Sequence, residues 1–219
     1  MIGGVSNYMA YVVAARPELK GPANFKGKKM AVARFGGTSE FVVDYALKQW
    51  NLKRSDISML IIGNEGERLA AMKAGHIDLS IFTPTLVPAI ESADIKVVLD
   101  LERLKVPYLL TGYVTTRSYL QRNRPVAIRF MRGVIKGINR IKTDRKFAGA
   151  VLAKYLRTDD PGIITTAVDH QARELPDLPY PLTEGIQTIL DELAVKFPEA
   201  RNIRAESLAD STIVRDAAR

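Results

Sequence analysis

Short apolar runs, each followed by a break rich in glycine or proline, alternate with stretches of helical spacing through the first half of the chain. A short apolar run bounded by turn signals is typical of a buried strand, and apolar residues three or four positions apart are typical of a helix. The pattern predicts helices around 38–50, 67–74 and after residue 84, and strands at 8–15, 29–35, 57–62, 78–82 and 95–99. This alternation predicts an α/β fold with a mostly parallel sheet wrapped by helices.

The second half of the chain is mainly helical. After a further strand at 109–116, apolar residues recur at helical spacing in five segments, which are 118–123, 126–142, 145–156, 160–172 and 183–196. We therefore divide the chain into a strand and crossover at 1–26, an α/β ligand-binding lobe at 27–110, and a return strand with C-terminal helices at 111–219. The strand at 8–15 lacks a neighbour in the sequence, so we expect it to pair either with a strand far along the chain or with a part that is missing.

Composition and charge exclude several classes of protein. Of the 219 residues, 47% are hydrophobic and 26% are charged, as in an ordinary folded domain. The chain has no apolar run long enough to span a membrane and no cysteine, which excludes disulfides, zinc thiolate sites and cysteine nucleophiles. Its net charge of +8 favours an anionic partner. The basic residues are spread out and accompany no DNA-binding motif or aromatic platform, so we expect no nucleic acid.

A glycine-rich junction between a predicted strand and a predicted helix is the first candidate for a binding site. It consists of Gly36, Gly37, Thr38 and Ser39, with Thr38 as the expected N-cap. The first turn of a helix leaves main-chain N–H groups unpaired and lies at the positive end of the helix dipole, which suits a sulfonate, carboxylate or phosphate. A plain strand-to-helix turn explains the same four residues, and Arg34 beside them is either a ligand for the anion or a surface residue.

Two more loops follow predicted strands at the same edge of the predicted sheet. Asn64 and Glu65 follow one strand, and Thr83 and Pro84 follow the next. In open α/β sheets, ligands gather at the carboxyl ends of the strands, so the three loops are expected to converge. Each loop taken alone is equally well explained as a solvated turn.

The evidence for catalysis is thin. The two histidines, His76 and His170, are far apart in the sequence and have no evident nucleophile or carboxylate partner. The motifs of nucleotide-binding loops, zinc peptidases and serine hydrolases are missing. We therefore expect no catalytic residue, no metal site and no cofactor.

Three segments in order resemble a known family. The segment 24–32 (NFKGKKMAV), the helix start at 37–39 (GTS), and 70–78 (AAMKAGHID), with Thr83–Pro84 beyond it, are similar to periplasmic substrate-binding proteins of ABC transporters. Within that family the resemblance is to the binding proteins for sulfonates, nitrate, taurine and thiamine-pyrimidine precursors. It extends over about 5–195 and is clearest over 24–85.

The resemblance implies a type II periplasmic-binding-protein fold with one complete three-layer lobe and a partial second lobe. Members of this family normally carry a longer stretch before this point, which forms most of the first lobe, so we expect the N-terminal part of lobe one to be missing. In the resembled family the stretch holding Ser6 and Asn7 lies near the hinge and the cleft between the lobes. Both residues therefore join the expected ligand-binding set.

The resemblance further implies a solute-binding component of an ABC-type import system, which captures a small anionic organic molecule or oxyanion in the cleft. Its partner would be an ABC transporter permease, and it would act in the periplasm or outside the cell, with the signal peptide not in this chain. Surface left open on lobe one would favour self-association. Two alternatives remain open, namely the effector-binding sensor domain of a bacterial regulator and an enzyme similar to the thiamine-pyrimidine synthases.

Overall fold

A computed structural model describes all 219 residues of the protein. It contains seven strands, which are β1 (Gly3–Tyr8), β2 (Val12–Ala15), β3 (Lys29–Val32), β4 (Ser58–Ile61), β5 (Leu79–Phe82), β6 (Lys96–Asp100) and β7 (Pro107–Tyr113). Its eight α-helices are α1 (Thr38–Gln49), α2 (Glu65–Lys73), α3 (Val87–Glu91), α4 (Arg117–Thr143), α5 (Arg145–Leu156), α6 (Pro161–Glu174), α7 (Thr183–Lys196) and α8 (Thr212–Ala218). The predicted α/β class is confirmed. None of the helices combines the length and the apolar character needed to cross a membrane.

The chain forms two compact units. The α/β unit comprises Ala10–Lys105, and the helical unit comprises Met1–Met9 together with Val106–Arg219. These boundaries differ from the predicted ones at 26/27 and 110/111, chiefly because the segment 10–26 belongs to the α/β unit.

The α/β unit is built on a five-stranded sheet with the order β4-β3-β5-β2-β6. The central strand β3 runs parallel to both β4 and β5, and β2 is antiparallel to β5 and to β6. Four strands therefore point in one direction, with β2 opposed to them. Strands are joined by helices where they run parallel, as the alternating pattern predicts.

Both faces of the three central strands of this sheet, β3, β5 and β2, are buried. On one face Val12, Ala14 and Ala31 pack with Met72 of α2 and Ile90 of α3 in a common core. The alternate residues of β2 and β3 point to the opposite face and are fully buried too. Helix α1 contacts β5, and its buried positions are Glu40, Phe41, Val42, Val43, Ala46 and Leu47. This double burial explains why the three central strands read as continuous apolar runs.

The prediction of one strand at 8–15, lying outside the lobe's sheet, is wrong. The structure has two strands, and β2 lies inside the sheet between β5 and β6. All four residues of β2 are fully buried, which requires neighbours on both faces and at both edges. The run crosses from one unit to the other at residues 9 and 10, and apolar patterning does not register that change because both halves are apolar.

The helical unit contains a two-stranded antiparallel sheet of β1 and β7. Strand 8–15 was expected to pair with a distant strand or with a missing part, and both β1 and β2, into which that run divides, pair with strands far along the chain. Helices α4 to α7 match the helical segments predicted from the sequence. The first two predicted segments form the single helix α4, which is kinked at Asn123, two residues before Pro125.

Separate small clusters form the core of the helical unit. Helix α8 packs on α4 through Ile213, Val214 and Ala217. Leu109 of β7 packs on the buried side of α7 and on the short 3-10 helices that follow it. Gly185 of α7 lies so close to β7 that a Cβ there would come within 2.7 Å of the main-chain nitrogen of Leu109. A glycine at this position lets the helix and the strand meet.

Candidate functional site

One edge of the α/β unit collects the loops that the sequence analysis selected. The registers Val32↔Ile61 and Val12↔Phe82 place the carboxyl ends of β3, β4 and β5 on this edge, together with the start of β2. Because β3 lies between β4 and β5, the loops after these three strands are adjacent. We call this edge the carboxyl edge.

The loop between β3 and α1 is held by an acidic side chain. Gly36 has a φ of 74°, in the left-handed region that favours glycine, and its N–H donates to Oε2 of Glu40 over 2.6 Å. Oε1 of Glu40 accepts from Arg54 over 2.5 Å, and Arg54 also forms a two-pronged bond with Asp44. These bonds, above all the bond to Asp44, raise the pKa of Arg54 above its ordinary value. Glu40, only 7% exposed, therefore has a structural partner on each oxygen.

The N-terminus of α1 has no side-chain cap. The expected N-cap, Thr38, is instead the first helical residue, and Gly37 occupies the cap position without a side chain to accept a hydrogen bond. The main-chain N–H groups of Thr38 and Ser39 have no main-chain acceptor, and the Thr38 hydroxyl has no hydrogen-bond partner. The Ser39 hydroxyl donates to the carbonyl of Arg34 over 3.2 Å. Ser39 therefore offers a ligand its main-chain N–H and not its hydroxyl hydrogen.

The guanidinium of Arg34 lies against this helix start. A Cβ on Gly37 would be 3.0 Å from Nε of Arg34, so the side chain runs across the cap position. No acidic side chain in the structure pairs with Arg34, which is exposed. A cation placed at the positive end of a helix dipole is electrostatically unfavourable unless an anion joins it.

The loops after β4 and β5 are bonded to each other through Glu65. Its Oε1 accepts from the N–H of Thr83 over 2.7 Å, and its Oε2 accepts from the Thr83 hydroxyl over 3.0 Å. The Thr83 hydroxyl also lies 3.0 Å from that of Thr85, and Pro84 starts a short 3-10 helix. Asn64 caps α2 by accepting from the N–H of Glu67 over 2.8 Å. Many of the hydrogen-bonding groups of these two loops are therefore already bonded to other groups of the chain.

A buried arginine supports the same two loops. Arg68 on α2 is only 3% exposed and donates to the carbonyls of Ile62, Gly63 and Ile81 over 2.9 to 3.3 Å. Glu65 is its nearest carboxylate, at 3.7 Å. Burial lowers the pKa of Arg68 and raises that of Tyr11, which precedes β2 on the same edge. The arginine ties the end of β4 to the end of β5.

Ser6 and Asn7 belong to the helical unit, on β1. The Asn7 amide donates to the carbonyls of Gly4 and Tyr180, and its oxygen accepts from the N–H of Leu182 over 2.9 Å. Asn7 therefore fastens the segment before α7 onto β1. The Ser6 hydroxyl makes one long contact, of 3.4 Å, to the carbonyl of Tyr8.

Sequence reasoning missed the supporting roles of Glu40, Arg54 and Arg68. A signal existed for Arg68, because it stands four residues before the buried Met72, on the side of α2 that faces the core. For Glu40 and Arg54 no local signal existed. They are fourteen positions apart and meet only in the folded chain.

Comparison with known proteins identifies a family that the chain matches and solved structures with a similar fold. A family model described as NMT1/THI5 like matches residues 5–146, well over half of the chain. No curated protein matches the chain. The solved structures similar to it include a protein from Bordetella bronchiseptica RB50, with 22% identity and a TM-score of 0.75, covering 99% of this chain and 73% of that one.

Two further structures differ in what they are described to do. The periplasmic aliphatic sulphonate binding protein SsuA from Escherichia coli has 20% identity and a TM-score of 0.72, and the match covers 97% of this chain and 73% of that one. The desulfurization enzyme DSZB has 12% identity and a TM-score of 0.69, with 100% of this chain and 78% of that one covered. Binding proteins and an enzyme therefore share this fold. The predicted type II periplasmic-binding-protein fold is confirmed.

Proposed function

The chain belongs to the NMT1/THI5-like family, and from this premise we propose that it binds a small anionic solute as the solute-binding component of an ABC-type import system. The ligand's acidic group would sit at the start of α1 on the carboxyl edge. The remaining loops of the predicted site, with Asn64, Thr83 and Pro84, would form the surroundings of the ligand.

The unpaired guanidinium of Arg34 at an uncapped helix start carries this proposal. The N–H groups of Thr38 and Ser39 and the Thr38 hydroxyl are free donors, and Arg34 adds a charge beside them. An anion would satisfy the donors, benefit from the helix dipole, and pair the guanidinium at the same time. The negative charges of Glu40 and Asp44 are already bonded to Arg54 and the loop.

A sulfonate is the first ligand to test. It offers three oxygens to a set of donors that come from a helix start and a guanidinium. The sulphonate-binding protein with the same fold supports this choice. A carboxylate or nitrate satisfies fewer of the same donors, since each offers fewer acceptors or a flatter arrangement.

We assign the chain a binding role and not a catalytic one. The carboxylates of the candidate loops, Glu40 and Glu65, are both bonded to main-chain N–H groups. Such bonds hold the loops in place and occupy the carboxylate oxygens within the chain, so both groups have a structural role. The inferred partner is an ABC transporter permease, and the inferred location is the periplasm or the outer surface of the cell.

The test is a calorimetric titration of alkanesulfonates, short carboxylates and nitrate into the wild type and two variants. Arg34→Gln removes the charge and should weaken binding of the preferred anion by roughly tenfold to a hundredfold. Thr38→Pro removes an N–H and the hydroxyl at a first helical position, where proline is well tolerated after the extended Gly37. It should weaken binding while the protein stays folded.

Two control variants make the result specific. Thr38→Ala removes only the hydroxyl, so its difference from Thr38→Pro isolates the main-chain N–H. Lys96→Gln removes one positive charge at the opposite edge of the sheet and should leave affinity unchanged. Equal affinity in the wild type and Arg34→Gln would overturn the site, and a preference for a neutral or cationic solute would overturn the proposed chemistry.

A further inference from the structure

A tyrosine at the carboxyl edge has a hydroxyl group that bonds to no group of the chain. Tyr11 directly precedes β2, and its main-chain carbonyl accepts from the N–H of Leu101 over 3.0 Å. The antiparallel register Val12↔Phe82 places it beside Thr83, the first residue after β5. Its side chain is half-buried, and its hydroxyl has no hydrogen-bond partner. The hydroxyl is therefore available to a ligand.

Two charged side chains of α2 act on this hydroxyl. Burial is the main cause that raises the pKa of Tyr11, the carboxylate of Glu65 raises it further, and the guanidinium of Arg68 lowers it. All three residues belong to the α/β unit. A raised pKa keeps the proton on the phenol at neutral pH, so the Tyr11 hydroxyl can donate a hydrogen bond.

The Glu65 carboxylate supplies acceptors near this donor, in addition to holding the loop after β5. Each of its oxygens accepts one hydrogen bond from Thr83, one from the N–H and one from the hydroxyl. An ionised carboxylate has about four acceptor sites, so it can accept further hydrogen bonds. Arg68 lies 3.7 Å from Oε1 and offsets part of the negative charge. Tyr11 and Glu65 therefore present a free donor and a free acceptor to the same part of the edge.

A hydroxyl group on the solute matches this pair of side chains. A hydroxyl both donates and accepts, so it can accept from Tyr11 and donate to Glu65 at the same time. A second anionic group would be repelled by Glu65, and an ammonium group has no lone pair with which to accept from Tyr11. A methyl group would shield both side chains from water without bonding to either, which weakens binding.

We propose that the solute carries a hydroxyl group as well as its acidic group, and that Tyr11 and Glu65 bind this hydroxyl. The inference rests on the proposed function, since it takes the acidic group to be held at the start of α1. In the sheet β5 separates β3 from β2, so the two places are roughly 10 Å apart at the main chain. Hydrogen bonds at both ends take up part of this distance, which leaves room for a chain of about two to four carbon atoms.

Calorimetric titration of matched pairs of ligands tests the proposal. Each pair consists of an alkanesulfonate and the same molecule with a terminal hydroxyl, from ethanesulfonate and 2-hydroxyethanesulfonate up to the four-carbon pair. In at least one pair the hydroxylated ligand should bind roughly threefold to tenfold more tightly, as one hydrogen bond contributes. Tyr11→Phe removes only the hydroxyl, so it should abolish this preference and leave the affinity for the plain alkanesulfonate unchanged.

A second tyrosine provides the matched control. Tyr45 on α1 is also half-buried, its hydroxyl also has no hydrogen-bond partner, and it lies about two turns beyond the helix start. Tyr45→Phe should keep the preference for the hydroxylated ligand. Nuclear magnetic resonance with ¹³C at the ζ carbon of tyrosine gives an independent readout. Of the eight tyrosine signals, the one that Tyr11→Phe removes should shift more with the hydroxylated ligand than with the plain one.

The outcomes separate this inference from the proposed function. Equal affinity of the wild type for both members of every pair would overturn the inference and leave the anion site in place, and so would a preference that survives Tyr11→Phe. Tighter binding of the aminoalkanesulfonate of the same length would overturn the choice of a hydroxyl. If no sulfonate, carboxylate or nitrate bound at all, the proposed function would fail, and this inference would fail with it.

Discussion

The two units bury their apolar side chains to different extents. The α/β unit leaves four large apolar side chains exposed, Phe35, Leu60, Ile61 and Leu104, whereas the helical unit leaves sixteen. The sheet of the α/β unit has five strands, and both faces of its three central strands are buried. The sheet of the helical unit has two strands, so its helices find little sheet surface to cover.

This difference shows what a repeated strand–helix pattern achieves. Each added strand in the α/β unit gives new faces for helices and brings another loop to the carboxyl edge. The strand–helix repeats that complete the core of the α/β unit therefore also build the candidate site. In the helical unit, long helices with good local patterning leave apolar faces open, which is a common mark of an interaction surface.

The largest expected effect comes from removing the polar tie inside the α/β unit. Arg68→Met keeps the length of the side chain but leaves the carbonyls of Ile62, Gly63 and Ile81 without their donor in a buried place. Unfolding free energy should fall by about 3 kcal/mol, measured by urea denaturation. Hydrogen exchange should rise throughout Ala10–Lys105 before it rises in the helical unit.

Lys73→Met, on the exposed side of the same helix, provides the control and should change stability little. If Arg68→Met were as stable as the wild type, packing and the bonds from Thr83 to Glu65 would be enough to hold the loops after β4 and β5. A uniform rise in exchange over both units would show instead that the two units unfold together.

A smaller loss is expected at the tightest contact of the helical unit. Gly185→Ala places a Cβ 2.7 Å from the Leu109 nitrogen and 3.0 Å from the Tyr108 carbonyl carbon. Because both atoms belong to the main chain of β7, the strand has to move, and the unfolding free energy should fall by about 2 kcal/mol. Thermal denaturation measures this change.

Gly137→Ala is the opposite test on α4. A Cβ at this position meets no atom within 4 Å, so the change should raise stability by about 0.5–1 kcal/mol through helix propensity. Stabilisation by both substitutions would mean that β7 and α7 are not packed as described. Destabilisation by both substitutions would show that a glycine-to-alanine change destabilises these helices whether or not the added Cβ meets another atom.

Much of this architecture could be predicted from the sequence. Continuous apolar runs predicted β3, β4 and β5, and helical spacing predicted α4 to α7 nearly to their ends. Strand polarity then placed the loops of Gly36, Asn64 and Thr83 on one edge, because parallel strands end on the same side. The position of β2 was not predictable in this way, since periodicity gives a strand its faces but not its neighbours.

The hydrogen-bonded supports of the site were also beyond the sequence. Capping rules suggested a side-chain N-cap at Thr38, but Gly36 with positive φ shifts the helix start, and Gly37 takes that position. The partners of Glu40, Glu65 and Arg68 come from other elements. Which groups become partners depends on distances that only the folded chain defines. Asn7, which the sequence analysis selected as a ligand-binding residue, bonds instead to Tyr180 and Leu182 of the same chain.

The smallest expected effect is on acid stability, and it belongs to the helical unit. Arg124 of α4 donates to Asp216 of α8 over 2.9 Å, and this bond lowers the pKa of Asp216 below its ordinary value. An acid with a lowered pKa stabilises the fold above its ordinary pKa and loses that contribution as the pH falls through the lowered value. Asp216→Asn should therefore reduce the Tm at pH 7, and the gap to the wild type should narrow below about pH 4. The exposed Asp159→Asn controls for loss of a charge in the same unit. A gap that stays constant between pH 7 and pH 3 would show that the Asp216 charge does not hold α8 on α4.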